Sequence, residues 1–220
     1  MSECDICAEL ADIKATLADH GDKLSILLTG VGKLVAALPP SSGYWDPAQT
    51  GSGVVLSNGN KDARLAVSAS TGFNARSVTS HASGKYYAEL YVPAGDYFGL
   101  VNSSFDVEND SYIGVNFNSV SYQTDGSVIE NGGATAYGGG FFVNVLGFAV
   151  DITNKKLYIS VDGVYEGGAD PVAGTGGYSF SVVGDLYLAV SPLSDADSTN
   201  LRTDSADFTY TPPTGFPAWG

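Results

Sequence analysis

The sequence predicts a mainly β protein, an antiparallel β-sandwich behind an N-terminal α-helical coiled-coil stalk. Three observations lead to this fold class. Residues 1–38 carry an apolar stripe of helical period and no Phe, Tyr or Trp. Pro39-Pro40-Ser41-Ser42-Gly43 then ends the pattern, because Pro-Pro cannot continue a helix. Residues 44–220 hold all 13 Tyr, all 10 Phe and both Trp, in short runs between glycine-rich turns. We therefore expect a stalk over 1–38, a linker over 39–43 and a sandwich over 44–220.

The stalk prediction depends on a heptad stripe whose spacings alternate between four and three residues. The ten positions, predicted to be the oligomerisation contacts, are Ile6, Leu10, Ile13, Leu17, His20, Leu24, Leu27, Val31, Leu34 and Leu38. Leucine at most a positions and isoleucine at the first two d positions favours three or four strands over a parallel dimer, so we expect a homotrimer. Two alternatives stay open: one helix packed on its own domain, or a helical hairpin broken at His20-Gly21-Asp22.

Two polar features of the stalk allow several interpretations. His20 at a d position would bring three imidazoles to a trimer axis, either to set the register or to bind an anion or metal. Cys4-Asp5-Ile6-Cys7 is a C-x-x-C motif without a second Cys or His pair, so it is a weak zinc signal. Its thiols would be buried at an anchoring end, form interchain bonds or hold a metal. We expect neither a metal nor a cofactor.

The charge balance excludes two classes of partner. Twenty-four acidic residues against ten basic ones give a net charge of −14. Nucleic acids and anionic membranes need clustered Lys and Arg, so neither is expected as a partner. No apolar run approaches the roughly 18 residues of a membrane span. The acidic N-terminus lacks the basic start of a signal peptide, so we expect synthesis in a cytoplasm.

The sandwich prediction comes from short alternating runs of β-branched and aromatic residues. Thr153-Asn154-Lys155 and Asp162-Gly163 are typical hairpin turns, and Trp45 and Trp219 are expected to close the sandwich where its termini meet. The predicted strands are Val54–Ser57, Arg64–Ser68, Lys85–Val92, Tyr97–Val101, Tyr112–Phe117, Val143–Ile152, Lys156–Asp162, Ser179–Val183, Leu186–Val190 and Ala206–Tyr210.

Five segments of this region together resemble the SPRY (B30.2-like) domain, in the form found in bacteriophage structural proteins. They are Leu56–Asn60, Ser83–Leu90, Leu146–Gly168, Leu188–Ser191 and Phe208–Phe216. The third segment is the most specific, because it sets two strands and an Asp-Gly turn in order. Asp162 stands where the family usually has Asn, and both residues suit that turn. The resemblance covers about 44–217 and implies a bent antiparallel sandwich whose loops bind partners without catalytic machinery.

The residues themselves offer little catalytic chemistry. A Ser–His–Asp triad would have to use His81 beside Ser80 and Ser83, and no G-x-S-x-G elbow is present. Paired carboxylates for glycoside cleavage stay open among the eighteen acidic residues after the linker. The run from Asp195 to Asn200 is rich in oxygen ligands but lacks the glycine and final Glu of an EF-hand loop. We expect a protein that is not an enzyme.

A binding role rests on aromatic side chains near predicted loops. Tyr with Asn, Ser and Gly forms adaptable recognition surfaces for sugars and proteins. The candidate ligand surface comprises Tyr97, Tyr112, Tyr122, Tyr137 and Tyr165. We expect a bacteriophage virion surface protein, either a short capsid fibre or decoration protein or a tail fibre or tail-tip protein. Its partners would be itself, other virion proteins through the helix, and a host-surface glycan or protein. The alternative of another class is a SPRY adaptor that docks a peptide.

Overall fold

The structure is a computed structural model of the chain. It describes residues 43–67, 73–92, 96–108, 111–140 and 144–220. All ten predicted heptad positions, from Ile6 to Leu38, lie outside the described residues, as do Cys4 and Cys7. The stalk and its oligomeric state therefore stay predictions.

The described residues form fifteen β-strands and two short 3₁₀ helices, Glu166–Gly168 and Ser205–Asp207. The strands are β1 (Trp45–Thr50), β2 (Val54–Ser57), β3 (Asp62–Leu65), β4 (Ala75–His81), β5 (Lys85–Val92), β6 (Tyr97–Asn102), β7 (Ser119–Gln123), β8 (Ser127–Glu130), β9 (Gly133–Ala136), β10 (Asn144–Asp151), β11 (Lys156–Val161), β12 (Val164–Tyr165), β13 (Tyr178–Ser179), β14 (Leu186–Ser191) and β15 (Thr199–Arg202).

Two antiparallel sheets contain these strands. Sheet 1 has the order β1-β4-β14-β6-β7-β8-β9. Sheet 2 has the order β12-β11-β10-β5-β15-β3-β2, with β13 also paired to β11. The predicted fold class of the domain, an antiparallel β-sandwich, is thus confirmed. Among the described residues, no helix is long and apolar enough to cross a membrane.

The core lies between the sheets and follows the alternation of the strands. On β5, Ala88 and Leu90 are buried in the main core, while Tyr87 and Glu89 point to the outer face of sheet 2. Leu100 of β6 belongs to the same core from the side of sheet 1. Complete burial of such a leucine contributes about 1.5–3 kcal/mol, so the alternation of β5 fixes which face of the strand turns inward.

The sandwich has two ends that differ in what they carry. The loop end is where β14 stops at Ser191 and β6 starts at Tyr97, as their pairing shows. The terminal end is where β1 starts at Trp45, opposite Ser77 of β4. Trp219 also lies at the terminal end, because its indole N–H donates to the Thr79 carbonyl of β4 at 3.1 Å. Both tryptophans are fully buried beside β4, where the first and last described residues meet.

The predicted strand bounds agree best where a run is buried on the inner face. Val54–Ser57 and Lys85–Val92 have the predicted bounds, and β10 and β11 differ from prediction by one residue at their ends. Arg64–Ser68 starts two residues too late, and of Ser179–Val183 only Ser179 is in a strand. Both predicted hairpin turns are confirmed.

Two predicted strands are wrong. Tyr112–Phe117 is a turn-rich loop in which Val115 N donates to the Tyr112 carbonyl and Gly114 has a φ of +95°. Ala206–Tyr210 has no ladder because its amides bond to side chains. Ala206 N donates to the Asp204 carboxylate and Tyr210 N to the Glu89 carboxylate. In both cases other acceptors, local ones and the Glu89 carboxylate of β5, took hydrogen bonds that a neighbouring strand would need.

Segments of the chain itself cover much of the outer faces. On sheet 1, Phe105 and Ile113 pack against Val101 and Ala189; they belong to the described residues 103–108 and 111–118, which we call the 103–118 segment. On sheet 2, residues 203–220, which we call the C-terminal strap, cross the strands. Phe208 of the strap meets the Tyr87 ring edge to face at 5.0 Å, and Phe216 meets Tyr158 at 6.2 Å. The surface left to a partner is therefore smaller than the area of the sheets.

Candidate binding surface

Several connections between strands converge at the loop end. They are residues 51–53, 124–126, 162–163 and 192–198. The 103–118 segment reaches the same end, because Asn74 N donates to the Val107 carbonyl and Ser52 N to the Glu108 carboxylate. The loops are thus tied to one another by hydrogen bonds, and loops held by a rigid scaffold are a usual place for recognition.

Two of the five predicted tyrosines form a pair at this end. The rings of Tyr97 and Tyr112 are stacked, with centroids 4.8 Å apart and planes at 9°, and both side chains are half-buried. Burial, the neighbouring Tyr112 and the charge of Asp125 raise the pKa of Tyr97 above its ordinary 10. The hydroxyl therefore stays protonated near neutral pH and both donates and accepts hydrogen bonds.

The other three tyrosines do not join this pair, although Tyr137 also lies at the loop end, where its amide donates to the Gly126 carbonyl at 3.1 Å. Tyr122 is fully buried in the core, and its hydroxyl donates to the Gly139 carbonyl at 3.2 Å. Tyr137 is half-buried edge to face with Tyr122 at 6.4 Å, and burial raises its pKa to about 12. Tyr165 packs on the outer face of sheet 2 with Tyr87 and Tyr158. The structure thus brings Tyr97 and Tyr112 together at the surface and leaves Tyr122 no exposed ring.

The Tyr122–Tyr137 contact secures a connection between the sheets. Residues 137–140 leave sheet 1 for sheet 2, and Gly139 N donates to the Glu166 carboxylate at 2.7 Å. A Cβ at Gly138 would lie 2.3 Å from a Glu166 oxygen, so this close approach requires glycine. The rings here hold the connection in place.

Charge is distributed unevenly between the two ends. Six exposed acidic residues lie at the loop end: Asp106, Glu108, Asp125, Asp162, Asp195 and Asp197. Arg64 also lies there, and its guanidinium donates to the carbonyls of Leu65 and Asp195. The lysines Lys85, Lys155 and Lys156 lie at the terminal end, beside the Asp151–Lys156 hairpin. The loop end therefore has a negative potential that favours cationic partners over anionic ones.

The residues considered for catalysis or metal binding have structural contacts. The His81 ring stacks on Tyr86 at 3.5 Å, and its Nε2 lies 2.8 Å from the Trp219 carbonyl oxygen. In the 195–200 run, the Ala196 and Asp197 amides donate to the Ser194 hydroxyl, which makes a tight turn. Within the described ranges, no group of three His, Cys, Asp or Glu side chains could hold a metal ion.

Sequence reasoning missed a concave region on the outer face of sheet 2. It is a cavity of about 340 Å³, which we call the polar pocket, lined by Asn58, Lys61, Asn200, Arg202 and Asp207. Its residues come from the β2–β3 turn, β15 and the C-terminal strap, which are far apart in sequence. The only local signal was Asn58-Gly59, which marks a turn without indicating what the turn faces.

Sequence reasoning also missed an exposed aromatic side chain. Phe117 is 75% exposed on the 103–118 segment, and Val115 beside it is 44% exposed. Both were assigned to a strand that does not form. A single exposed aromatic on a loop adds to a recognition surface without defining one.

Comparisons with known proteins identify the fold. No model of a known protein family matches the sequence, and no curated protein matches it. Solved structures do match. The structure of stonustoxin aligns with a TM-score of 0.58 and 18% identity. The alignment covers 73% of this chain but only 27% of the stonustoxin chain.

Two SPRY domains align over most of their own length. The TRIM65 PSpry domain gives a TM-score of 0.55 at 16% identity, covering 73% of this chain and 88% of that one. The SPRY domain of human HERC1 gives 0.55 at 14% identity, covering 72% and 96%. At such identities the likeness concerns the fold, and function has to be argued from the site. With two antiparallel sheets in one sandwich, the described part of this chain has the SPRY fold.

Proposed function

We propose that this protein is a bacteriophage virion surface structural protein, a short capsid fibre or decoration protein that displays SPRY-fold binding heads. The proposal rests on the order in which a predicted oligomerisation segment and a binding domain follow each other along the chain. Ten heptad positions in 1–38 precede a Pro-Pro break, and a sandwich with its own core follows. A sequence in this order suits a device that oligomerises through one segment and binds through another.

The geometry of the domain supports display. The described chain begins at Gly43 beside Thr203, at the terminal end, where its missing Cβ would lie 2.7 Å from the Thr203 hydroxyl. The Tyr97–Tyr112 pair and the acidic loops lie at the opposite end. The described chain thus begins at the end of the head opposite its loops. Three heads on one stalk would convert weak contacts into useful avidity.

The proposed partners follow from the two parts. The chain would bind itself as a homotrimer, and other virion proteins through the N-terminal helix. The heads would bind a host-surface glycan or protein, after synthesis in the host cytoplasm and assembly into the virion. A tail fibre or tail-tip receptor-binding protein is the alternative within the same class. The rival of another class is a SPRY adaptor that docks a peptide.

The test is the native mass of the full chain and of residues 43–220, measured by light scattering. We expect three times the 22.7 kDa chain mass for the full chain and a monomer for 43–220. Leu24→Asp places a charge on the stripe and should dissociate the trimer. Ser25→Asp, one residue off the stripe, is the matched control and should leave it intact. A monomeric full chain would contradict the proposal and favour the adaptor.

Localisation separates the virion proposal from other trimeric adhesins. Antibody raised against residues 43–220 should label intact phage particles from the source lysate in gold electron microscopy. Label at the capsid indicates a fibre or decoration protein, and label at the tail tip indicates the alternative. Particles that carry neither label nor this chain by mass spectrometry would contradict the proposal.

A further inference from the structure

The polar pocket lies where the C-terminal strap leaves sheet 2. Asn200 and Arg202 are on the outer face of β15, opposite Tyr91 and Glu89 of β5. The β2–β3 turn contributes Asn58 and Lys61 from one side. Asp207 of the second 3₁₀ helix contributes from the other side. Three distant segments therefore build one concavity, and each of them supplies polar groups.

The charges in the pocket are balanced. The Lys61 ammonium lies 2.5 Å from the Asp207 carboxylate. The Arg202 guanidinium lies 3.6 Å from the buried Glu89 carboxylate. Each cation thus faces its own anion. An anionic ligand would have to displace Asp207 or compete with Glu89, so the pocket does not favour a phosphate or a sulfate.

The polar groups are also arranged by their own hydrogen bonds. The Asn200 side chain accepts from Arg202 Nε at 3.1 Å and donates to the Asp62 carboxylate at 2.6 Å. Arg202 Nη1 donates to the Thr209 hydroxyl at 2.5 Å. These contacts fix the amide and guanidinium planes before a ligand arrives. Preorganised donors and acceptors bind with a smaller loss of side-chain entropy.

An aromatic side chain flanks these groups. Tyr91 is the direct cross-strand partner of Asn200, so their side chains are neighbours on one face, with Cβ atoms about 5 Å apart. Tyr91 is 39% exposed, whereas its neighbours Leu90 and Val92 are buried in the core. A partly exposed ring next to Asn200, which lines the pocket, offers a stacking surface beside the hydrogen-bonding groups of the pocket.

We propose that the polar pocket, together with Tyr91, binds one or two rings of a neutral saccharide. Each sugar hydroxyl donates one hydrogen bond and accepts two, which suits a lining that holds donors and acceptors side by side. The apolar face of a pyranose would lie on the Tyr91 ring. A volume of about 340 Å³ is at the small end of ligand sites, and its polar lining disfavours an apolar ligand.

This inference deepens the adhesion part of the proposed function and rests on it only for the source of the glycan. It places the ligand on the outer face of sheet 2, away from the Tyr97–Tyr112 pair. The pocket could fail to bind sugars while the chain remains a trimeric virion protein. Mass and particle labelling therefore test the proposed function separately from sugar binding.

The experiment uses the full chain. Saturation-transfer NMR is recorded with methyl glycosides of glucose, galactose and mannose and with N-acetylglucosamine. An array of neutral and anionic oligosaccharides then supplies a ligand for calorimetry. Asn58→Gly removes the amide at a residue whose φ of +52° glycine adopts freely. Asn131→Gly is the matched control, since Asn131 has a φ of +51°, precedes a glycine and is exposed.

The expected effects follow from the lost contacts. Asn58→Gly should weaken the affinity for a neutral saccharide about fivefold, for one hydrogen bond. Tyr91→Thr keeps a residue that suits a strand but removes the aromatic ring. It should weaken the affinity for a neutral saccharide up to about tenfold. Asn131→Gly should bind like the wild type, and all three variants should unfold at wild-type temperature within a few degrees.

Three results would overturn the inference. One is the absence of saturation transfer from every neutral sugar together with an empty neutral half of the array. Another is undiminished saccharide binding in both Asn58→Gly and Tyr91→Thr, which would place the site elsewhere. The last is binding confined to anionic oligosaccharides or to acidic peptides. That result would mean that the Lys61–Asp207 or Arg202–Glu89 ion pair separates to bind an anion.

Discussion

Replacing Glu89 with glutamine should release part of the C-terminal strap. Glu89 is fully buried on β5, under the strap. Its carboxylate accepts from Thr209 N at 2.7 Å, Tyr210 N at 2.8 Å and the Tyr87 hydroxyl at 3.1 Å. It also pairs with Arg202 at 3.6 Å. One carboxylate thus satisfies two backbone amides of the strap and balances one half-buried cation.

The size of the effect can be worked from those contacts. Glutamine has nearly the same shape, but one of its two positions is a donor. Whichever way the amide turns, an NH₂ group faces a backbone N–H, which loses its acceptor at a cost of about 1–3 kcal/mol. Arg202 loses its partner at the same time. We expect Glu89→Gln to lower the free energy of unfolding by about 2–4 kcal/mol, and Glu89→Ala by about 3–5 kcal/mol.

The assay is urea unfolding of residues 43–220 at pH 7, with amide hydrogen exchange of Thr209 and Tyr210 as a local probe. Glu108→Gln is the matched control, because Glu108 also accepts two hydrogen bonds, from Ser52, but is fully exposed. Glu108→Gln should lower the free energy of unfolding much less than Glu89→Gln does. A Glu89→Gln effect within about 0.5 kcal/mol of zero, the usual range of surface substitutions, would refute the reasoning, as would unchanged protection of the two amides.

Two further predictions concern a buried acid and a close backbone approach. Burial raises the pKa of Asp96 from 3.8 to about 6. Since the folded state binds this proton more tightly, stability should fall as the pH rises from about 4 to 7, by up to about 3 kcal/mol from this group. Carboxyl ¹³C NMR checks the pKa, and a midpoint below 4.5 would contradict it. A Cβ at Gly99 would lie 1.8 Å from the Val120 carbonyl, whereas at Gly133 the nearest atom is 3.4 Å away. Gly99→Ala should therefore cost about 3 kcal/mol or more in urea unfolding and Gly133→Ala little; equal effects would show that the strands move apart freely.

The strands that sequence patterns predicted are those with alternating apolar residues. β5, β10 and β11 have such patterns, because one face of each meets the core. β4 and β7 were missed because buried serines interrupt their apolar alternation, Ser77 on the side of β4 that pairs with Trp45 and Ser121 on the outward face of β7. Ser77 Oγ accepts from Leu188 N, and Ser121 Oγ donates to the Ile113 carbonyl under the 103–118 segment. Buried serines that bond to a neighbouring strand or to a covering segment resemble a loop in the sequence, since their partners are distant in the chain.

The predicted tyrosines show the same limit. On β7, Tyr122 shares the inner face with Val120, so the alternation of that strand would have placed it in the core. The alternation was not used, because β7 itself was not predicted. Tyr97 is half-buried instead, because the ring of Tyr112, from the 103–118 segment, stacks on it at the loop end. Whether a tyrosine is exposed depends on that covering segment, which local sequence does not reveal.

The same covering segments define where a partner can bind. The inner faces form the core, the 103–118 segment lies over sheet 1, and the C-terminal strap lies over part of sheet 2. Both coverings are made by the chain itself. Two regions of the remaining surface are distinguished by their polar side chains: the acidic loop end and the polar pocket beside Tyr91. These two regions differ in kind, because the loop end has an excess of negative charge whereas the pocket pairs each cation with an anion. In the proposed binding mode, a head built this way would bind by local shape and hydrogen bonding at the pocket, while the negative charge of the loop end would disfavour anionic surfaces.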